Sequence, residues 1–147
     1  MANRAGGVGV KCHVMETGLS EDQMGRGVIP RACCSEPDAF DFIESVRWGG
    51  GVACPRCAGE AVYKMTDRLN GARNGRYLWR CRGCGRQFTV RLGTMFEDSA
   101  IELHKWCRGL WEVTRTRSGT TPSQLARVLR ITPKSAASML RRFSAAL

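Results

Sequence analysis

Eight cysteines are the residues of this chain best suited to chemistry, and four of them form two pairs of identical spacing. Cys54-Pro55-Arg56-Cys57 and Cys81-Arg82-Gly83-Cys84 are C-x-x-C motifs with 23 residues between them. Each pair can place two thiolates on one side of a tight turn. Two such turns joined by a hairpin give a closed tetrahedral S4 site, the donor set that suits zinc. Gly85, just after the second pair, permits the backbone conformation such a turn needs. A redox role would require a strand before and a helix after a pair, in a βαβ unit, and neither pair has them. The pattern predicts one structural Zn2+ held by Cys54, Cys57, Cys81 and Cys84. Cys107 falls on an apolar helix face and is expected to be a small core residue. Cys12, Cys33 and Cys34 are expected as free thiols, and Cys12-His13 has no second pair to complete another site. His104 is read as a surface histidine without a role.

The second chemical signal is charge. The 147 residues carry 23 Lys and Arg against 13 acids, a net +10. Nine basic and four acidic residues fall in 49–100, and nine against two in 101–147. Such concentration predicts a surface that meets a polyanion, here double-stranded DNA. No apolar run approaches the roughly 20 residues of a spanning helix, and the N-terminus shows no secretory h-region. The expected setting is a reducing bacterial cytoplasm, at the nucleoid, with no membrane partner, where unexported cysteines bind metal or stay free.

Positioning these residues requires three kinds of element. Residues 1–34 are Gly-rich without periodicity and read as a disordered leader. A helix is predicted over 35–48, with Ala39, Phe42, Ile43 and Val46 as its apolar face. Residues 49–98 read as a ribbon of short strands: Ala61–Met65, then Tyr77–Arg80 and Gln87–Val90, with Asn70-Gly71 and Asn74-Gly75 as turn dipeptides. This section has too few apolar residues for a core of its own, so the metal must supply what packing lacks.

Residues 99–147 read as helical. Ser99-Ala100-Ile101-Glu102 has the form of a capping box ahead of Leu103, Trp106, Cys107, Leu110, Trp111 and Thr114. Thr121-Pro122-Ser123-Gln124 repeats the device, with Leu125, Ala126, Val128 and Leu129 as the buried side. Thr132-Pro133 opens a last helix with Ala136, Met139, Leu140 and Phe143 facing inward. The fold class is thus α+β: a small zinc-ribbon β module followed by a helix-turn-helix. In that plan the last helix enters the major groove. The expected DNA contacts are Thr132, Lys134, Ser135, Ser138, Arg141 and Arg142, with Arg82 and Arg86 of the ribbon on phosphates. Arg73, Arg76, Arg80 and Arg91 are further phosphate candidates. Arg130 departs from the motif, whose tight turn commonly holds glycine.

The stretch from Arg47-Trp48 through the first cysteine pair, and then Tyr77-Leu78-Trp79-Arg80-Cys81-Arg82-Gly83-Cys84-Gly85-Arg86-Gln87-Phe88-Thr89-Val90 with Gly93-Thr94 and Phe96-Glu97-Asp98-Ser99, resembles the zinc-ribbon insertion-sequence transposases (the insertion-sequence 1595 family). Leu125-Ala126 and Ile131-Thr132-Pro133-Lys134-Ser135-Ala136 are similar to the helix-turn-helix that follows in that family. The resemblance covers roughly residues 36–147. It implies recognition of terminal inverted repeats, the four cysteines as zinc ligands, and a separate nuclease domain whose acids hold two divalent metals. Beyond residue 98 only Glu102 and Glu112 are acidic, so no cleavage is expected of this chain and no catalytic residue is assigned. A homodimer or a full-length transposase is the expected protein partner. The residues alone leave two other readings open, a free-standing transcriptional regulator and a zinc ribbon that docks on another protein.

Overall fold

Local sequence signals start most of the elements in this computed structural model, which describes residues 30–146. Among those residues the chain forms three short strands and four α-helices, an α+β arrangement. The leader expected over 1–34 lies almost wholly outside the described residues. Helix α1 (Glu36–Trp48) begins at Ser35, whose hydroxyl accepts from the Asp38 amide at 3.3 Å, with Pro37 and two acids in the first turn.

The inner face of α1 is only in part the one that apolar periodicity selects, through Ala39 and Ile43. Ala39 and Phe40 are buried, whereas Phe42 and Val46 are exposed by 52% and 69%. Two polar residues rotate the helix. Glu44 is buried and accepts from Trp79 Nε1 at 2.8 Å and from Arg73. Arg47 donates to the carbonyls of Val90 and Leu92, both at 2.6 Å. Hydrogen bonds to ionised groups are worth about 1.5–3 kcal/mol each, enough to outweigh leaving two apolar side chains half in water.

Strands β1 (Val62–Lys64), β2 (Trp79–Cys81) and β3 (Gln87–Phe88) form an antiparallel sheet in that order. Trp79, Cys81 and Phe88 face inward with Cys54, and Trp48 of α1 meets the rings of Trp79 and Phe88 edge-on at 5.8 and 5.9 Å. Between β1 and β2 the chain turns at Gly71, at φ +66, and the Asp67 amide bonds the Ala72 carbonyl at 2.7 Å. Tyr77, expected within a strand, instead takes φ +56 and stacks on Phe40 with centroids 4.0 Å apart. The apolar surface of α1 outcompetes its strand propensity.

Residues 89–102 link the sheet to the helices without regular structure, and three guanidinium groups satisfy their carbonyls. Arg47 takes Val90 and Leu92. Arg91 Nη1 donates to Ser99 and Ile101 at 3.1 and 2.9 Å, and Arg142 Nη1 donates to Met95 and Glu97 at 2.9 and 2.8 Å. Each arginine thus holds two carbonyls spaced by two residues, which answers the accounting that buried irregular backbone demands.

Helices α2 (Leu103–Arg115), α3 (Pro122–Leu129) and α4 (Pro133–Ala146) close the main core. The capping box expected at Ser99 and Glu102 does not form. Ser99 Oγ instead accepts from Trp106 Nε1 at 3.1 Å and from the Ile101 amide at 3.2 Å. The first free amides of α2, Leu103 and His104, are taken by the Glu36 carboxylate of α1 at 2.8 and 2.9 Å. His104 is accordingly part-buried, its Nδ1 2.9 Å from Glu36 Oε2, and not the surface histidine expected. At α3 the expected box is present in both directions between Thr121 and Gln124. Residues 130–132 join α3 to α4, with Arg130 at φ +53 and its amide bonded to the Ala126 carbonyl. Leu125, Ala126 and Leu129 are buried as expected, but Val128 is 47% exposed. Ala136, Met139 and Phe143 of α4 pack on Trp106 and on Gly109 of α2. A Cβ on Gly109 would lie 2.7 Å from Met139 Sδ, so glycine here allows the two helices to approach.

Candidate metal centre and cationic surface

The two cysteine pairs sit on two turns of the same build. In the first, the Ala58 amide bonds the Cys54 carbonyl at 2.8 Å, and the Cys54 amide bonds the Gly59 carbonyl at 2.9 Å. In the second, the Gly85 amide bonds the Cys81 carbonyl at 3.0 Å, and the Cys81 amide bonds the Arg86 carbonyl at 3.0 Å. The residue after each pair is left-handed, Ala58 at φ +59 and Gly85 at φ +71. Gly85 meets that demand without strain; Ala58 meets it with a Cβ against the carbonyl, a cost the sequence did not reveal.

Strand pairing brings the turns together, because Cys81 lies opposite Val62 just past the first knuckle. The four sulfurs lie within 4.8 Å of one another, with Cys54 to Cys84 at 3.7 Å and Cys57 to Cys81 at 3.5 Å. A tetrahedral zinc with bonds of about 2.3 Å requires sulfurs about 3.8 Å apart. The donor set and its spacing fit zinc. Burial opposes ionisation of Cys54, but the amides of Cys57 and Arg56 point at its sulfur and hold the thiol down to about 7. Cys57 moves the other way, to about 11: the Gly59 amide favours its thiolate, yet the neighbouring sulfurs of Cys81, Cys54 and Cys84 outweigh it. Four thiolates crowded together need a cation, and zinc would supply that charge. Gly59 and Gly83 lie against Cys57 and Cys81, where a Cβ would come within 3.3 and 3.6 Å of a sulfur.

The remaining cysteines are elsewhere. Cys33 is free, as expected, but buried, and burial raises its thiol to about 11; Cys107 packs against the core and burial raises it to about 12. Cys34 is disulfide-bonded, which corrects the free thiol expected there. Cys12 lies outside the described residues.

The cations divide into two populations that charge counting does not separate. Arg47, Arg91 and Arg142 bond backbone carbonyls, and Arg73 pairs with Glu44 and Asp41. Arg91 adds Glu36 at 3.1 Å. These guanidinium groups are built into the fold, and for Arg73, Arg91 and Arg142 that differs from the phosphate or base contact expected of them. Among the described residues, Arg56, Arg68, Arg76, Arg80, Arg82, Arg86, Arg115, Arg117, Arg127, Arg130, Lys134 and Arg141 are exposed and have no carboxylate partner. Thr132 caps α4, accepting from the Ser135 amide at 3.1 Å while its hydroxyl bonds Ser135 Oγ at 2.9 Å. Ser138 is half-buried on the same helix. Arg127 was not singled out from the sequence, and Arg130 only as a departure from the motif's tight turn. Their position beside the start of α4 follows only once α3 and residues 130–132 are folded.

Residues 34–87 match a family model described as a transposase zinc-ribbon domain. The chain is also 34% identical, over 113 residues, to a Halobacterium salinarum protein described as an uncharacterized protein in transposable element ISH50. That alignment covers 77% of this chain and 36% of the relative, so the chain spans about a third of the relative's length. No solved structure matches. Among the described residues no helix is long and apolar enough to cross a membrane.

Proposed function

We propose, from the premise that residues 34–87 are a transposase zinc-ribbon domain, that this chain is a DNA-binding module that recognises the terminal inverted repeats of a mobile element. One structural Zn2+ bound by Cys54, Cys57, Cys81 and Cys84 holds the ribbon. Helices α3 and α4 act as a helix-turn-helix, with α4 as the reading helix in the major groove. The observation that carries this reading is the division of the cations. Arg127, Arg130, Lys134 and Arg141 are left exposed on and around α3 and α4, while nearby Arg142 is tied to carbonyls of the connector. A helix kept soluble by charge alone has no reason to sort its arginines in this way.

Lys134 and Arg141 are assigned to base edges and phosphates. Thr132 and Ser135 sit at the helix start, where their hydroxyls can donate to a phosphate. We assign binding and not strand cleavage to this stretch. Glu102 and Glu112 are engaged on α2 with Lys105 at 2.8 Å and Arg108 at 2.7 Å.

Fluorescence anisotropy on the zinc-loaded chain tests the proposal, comparing a duplex of the element's end with a scrambled duplex and with an upstream promoter fragment. The end should bind tighter by a factor of at least about 10³, the low end of specific recognition. Affinity should fall with salt by about 0.9 log unit per log unit for each phosphate neutralised. Equal affinity for all three duplexes rejects repeat recognition, and a flat salt response rejects the cationic surface.

A further inference from the structure

The outer face of the ribbon sheet has a composition that phosphate binding alone does not call for. Tyr63, Arg80 and Gln87 are register partners across the three strands, Tyr63 opposite Arg80 and Arg80 opposite Gln87. Alternation therefore places them together on the side away from Trp79, Cys81 and Phe88. The Arg82 amide bonds the Ala61 carbonyl at 2.8 Å, which extends the ladder and puts Arg82 on that same side, two residues from Arg80. The Arg82 guanidinium lies over the Tyr63 ring, 5.1 Å from its centroid. Tyr63 is 39% exposed, an aromatic that adds little to the core beneath it. Arg80, Arg82 and Arg86 have no carboxylate partner among the described residues, unlike Lys64 next door, which faces Glu44 at 4.0 Å and lies over Trp79.

We infer that this face binds an unpaired stretch of nucleic acid, with a base stacking on the Tyr63–Arg82 platform and a flanking phosphate on Arg80. The inference rests on the DNA-binding reading and names a second contact within it. Duplex phosphates need only cations. An exposed ring already overlain by a planar guanidinium offers a π surface, and every base has a matching face once it is out of the duplex stack. The charge suits a polyanion, and the flat sheet matches an extended strand. Ends of mobile DNA are places where such a strand exists, as overhang or frayed pair.

The test compares a labelled duplex of about 20 base pairs, blunt, with the same duplex carrying an overhang of roughly four thymidines, within the span such sites cover. The zinc-loaded full chain should prefer the overhang by about 5- to 150-fold, the range that one stacked base contributes. Tyr63→Ala and Tyr63→Leu should abolish the preference while leaving blunt-duplex affinity within about twofold, and Tyr63→Phe should keep it. Zinc content of each variant verifies that the ribbon is folded. If Tyr63→Ala does not fold, Arg82→Ala should likewise abolish the overhang-to-blunt ratio, because it removes the other half of the platform, while its lost charge lowers affinity for both duplexes. Equal binding of both duplexes by the unaltered chain overturns this inference and leaves the DNA-binding reading intact. Binding of neither overturns both. A Tyr63→Phe variant that loses the preference as completely as Tyr63→Ala also overturns it, because stacking does not need the hydroxyl.

Discussion

Replacing Glu36 by Gln isolates the contact that joins α1 to α2. Its carboxylate receives four donors. Oε1 accepts from the Leu103 amide at 2.8 Å and from Arg91 at 3.1 Å, and Oε2 accepts from the His104 amide and His104 Nδ1, both at 2.9 Å. A glutamine keeps one oxygen and turns an NH2 towards two of these donors. It also removes the negative charge from a helix N-terminus. The lost charged bonds are worth about 1.5–3 kcal/mol each in a buried setting, and the dipole contributes about 0.3–1 kcal/mol. Glu36 is 24% exposed, so solvent trims these values, and about 2 kcal/mol is expected for Glu36→Gln. At about 4 °C per kcal/mol for a domain of this size, Tm should drop by about 8 °C.

The pH dependence has a definite sign. Burial raises the Glu36 pKa, but the His104 and Leu103 amides, the His104 ring and Arg91 together hold it below the usual carboxylate value. A carboxyl whose folded pKa is depressed stabilises the fold fully above its unfolded value of about 4.3, and that stability is lost as pH falls through the folded value. Thermal melts of the zinc-loaded protein should therefore show the full gap at neutral pH, shrinking only below about pH 4. Glu102→Gln is the control: that carboxylate is 54% exposed, and its loss should cost less than about 0.5 kcal/mol. Equal stability of Glu36→Gln and the unaltered chain at neutral pH, or a larger loss for Glu102→Gln, refutes this account of how α2 is capped.

Three other outcomes follow from the same structure. Cys81→Ser should abolish zinc binding and melt the ribbon, as should a strong chelator, since structural zinc supplies folding energy; retention of stoichiometric metal by mass spectrometry would contradict the ligand set. Arg142→Ala should lower stability by about 2 kcal/mol through loss of two charged bonds to carbonyls, yet leave DNA affinity within about twofold below its melting point, whereas Lys134→Ala should weaken binding by about 1 kcal/mol or more; a selective loss of affinity in Arg142→Ala would return that residue to the reading surface. Gly109→Ala should destabilise by about 1 kcal/mol, because overpacking against Met139 outweighs the helix propensity gained; a more stable variant would show that the core yields at this point.

What the sequence made legible was what short range decides. The gathering of the four cysteines could be read because their spacing and knuckle geometry are local, and the Thr121–Gln124 box because its partners are three residues apart. The cap of α2 was illegible for the opposite reason: the acceptor is 67 residues upstream of Leu103, and a serviceable local candidate stood in its place. Half of the α1 face, Phe42 and Val46, was misread because Glu44 and Arg47 score as outward residues until Trp79, Arg73 and the Val90 and Leu92 carbonyls arrive to meet them. Counting arginines located the basic half of the chain but could not say which of them the fold consumes.

The three arginines that grip alternate carbonyls of residues 89–102 have a mechanical consequence. A connector without helix or strand would ordinarily act as a swivel, but Arg47 reaches it from α1, Arg142 from α4, and Arg91 from within. Six hydrogen bonds to one connector predict stiff coupling, with the outer sheet face and the start of α4 moving as one body. On the proposed DNA-binding reading, such a body would act as a gauge against a polymer that repeats every ~34 Å, engaging two tracts only when their separation along the duplex has the right phase. Lengthening that separation by half a helical turn should break the joint engagement, and loosening any one of the three clamps should make the protein more tolerant of wrongly spaced ends.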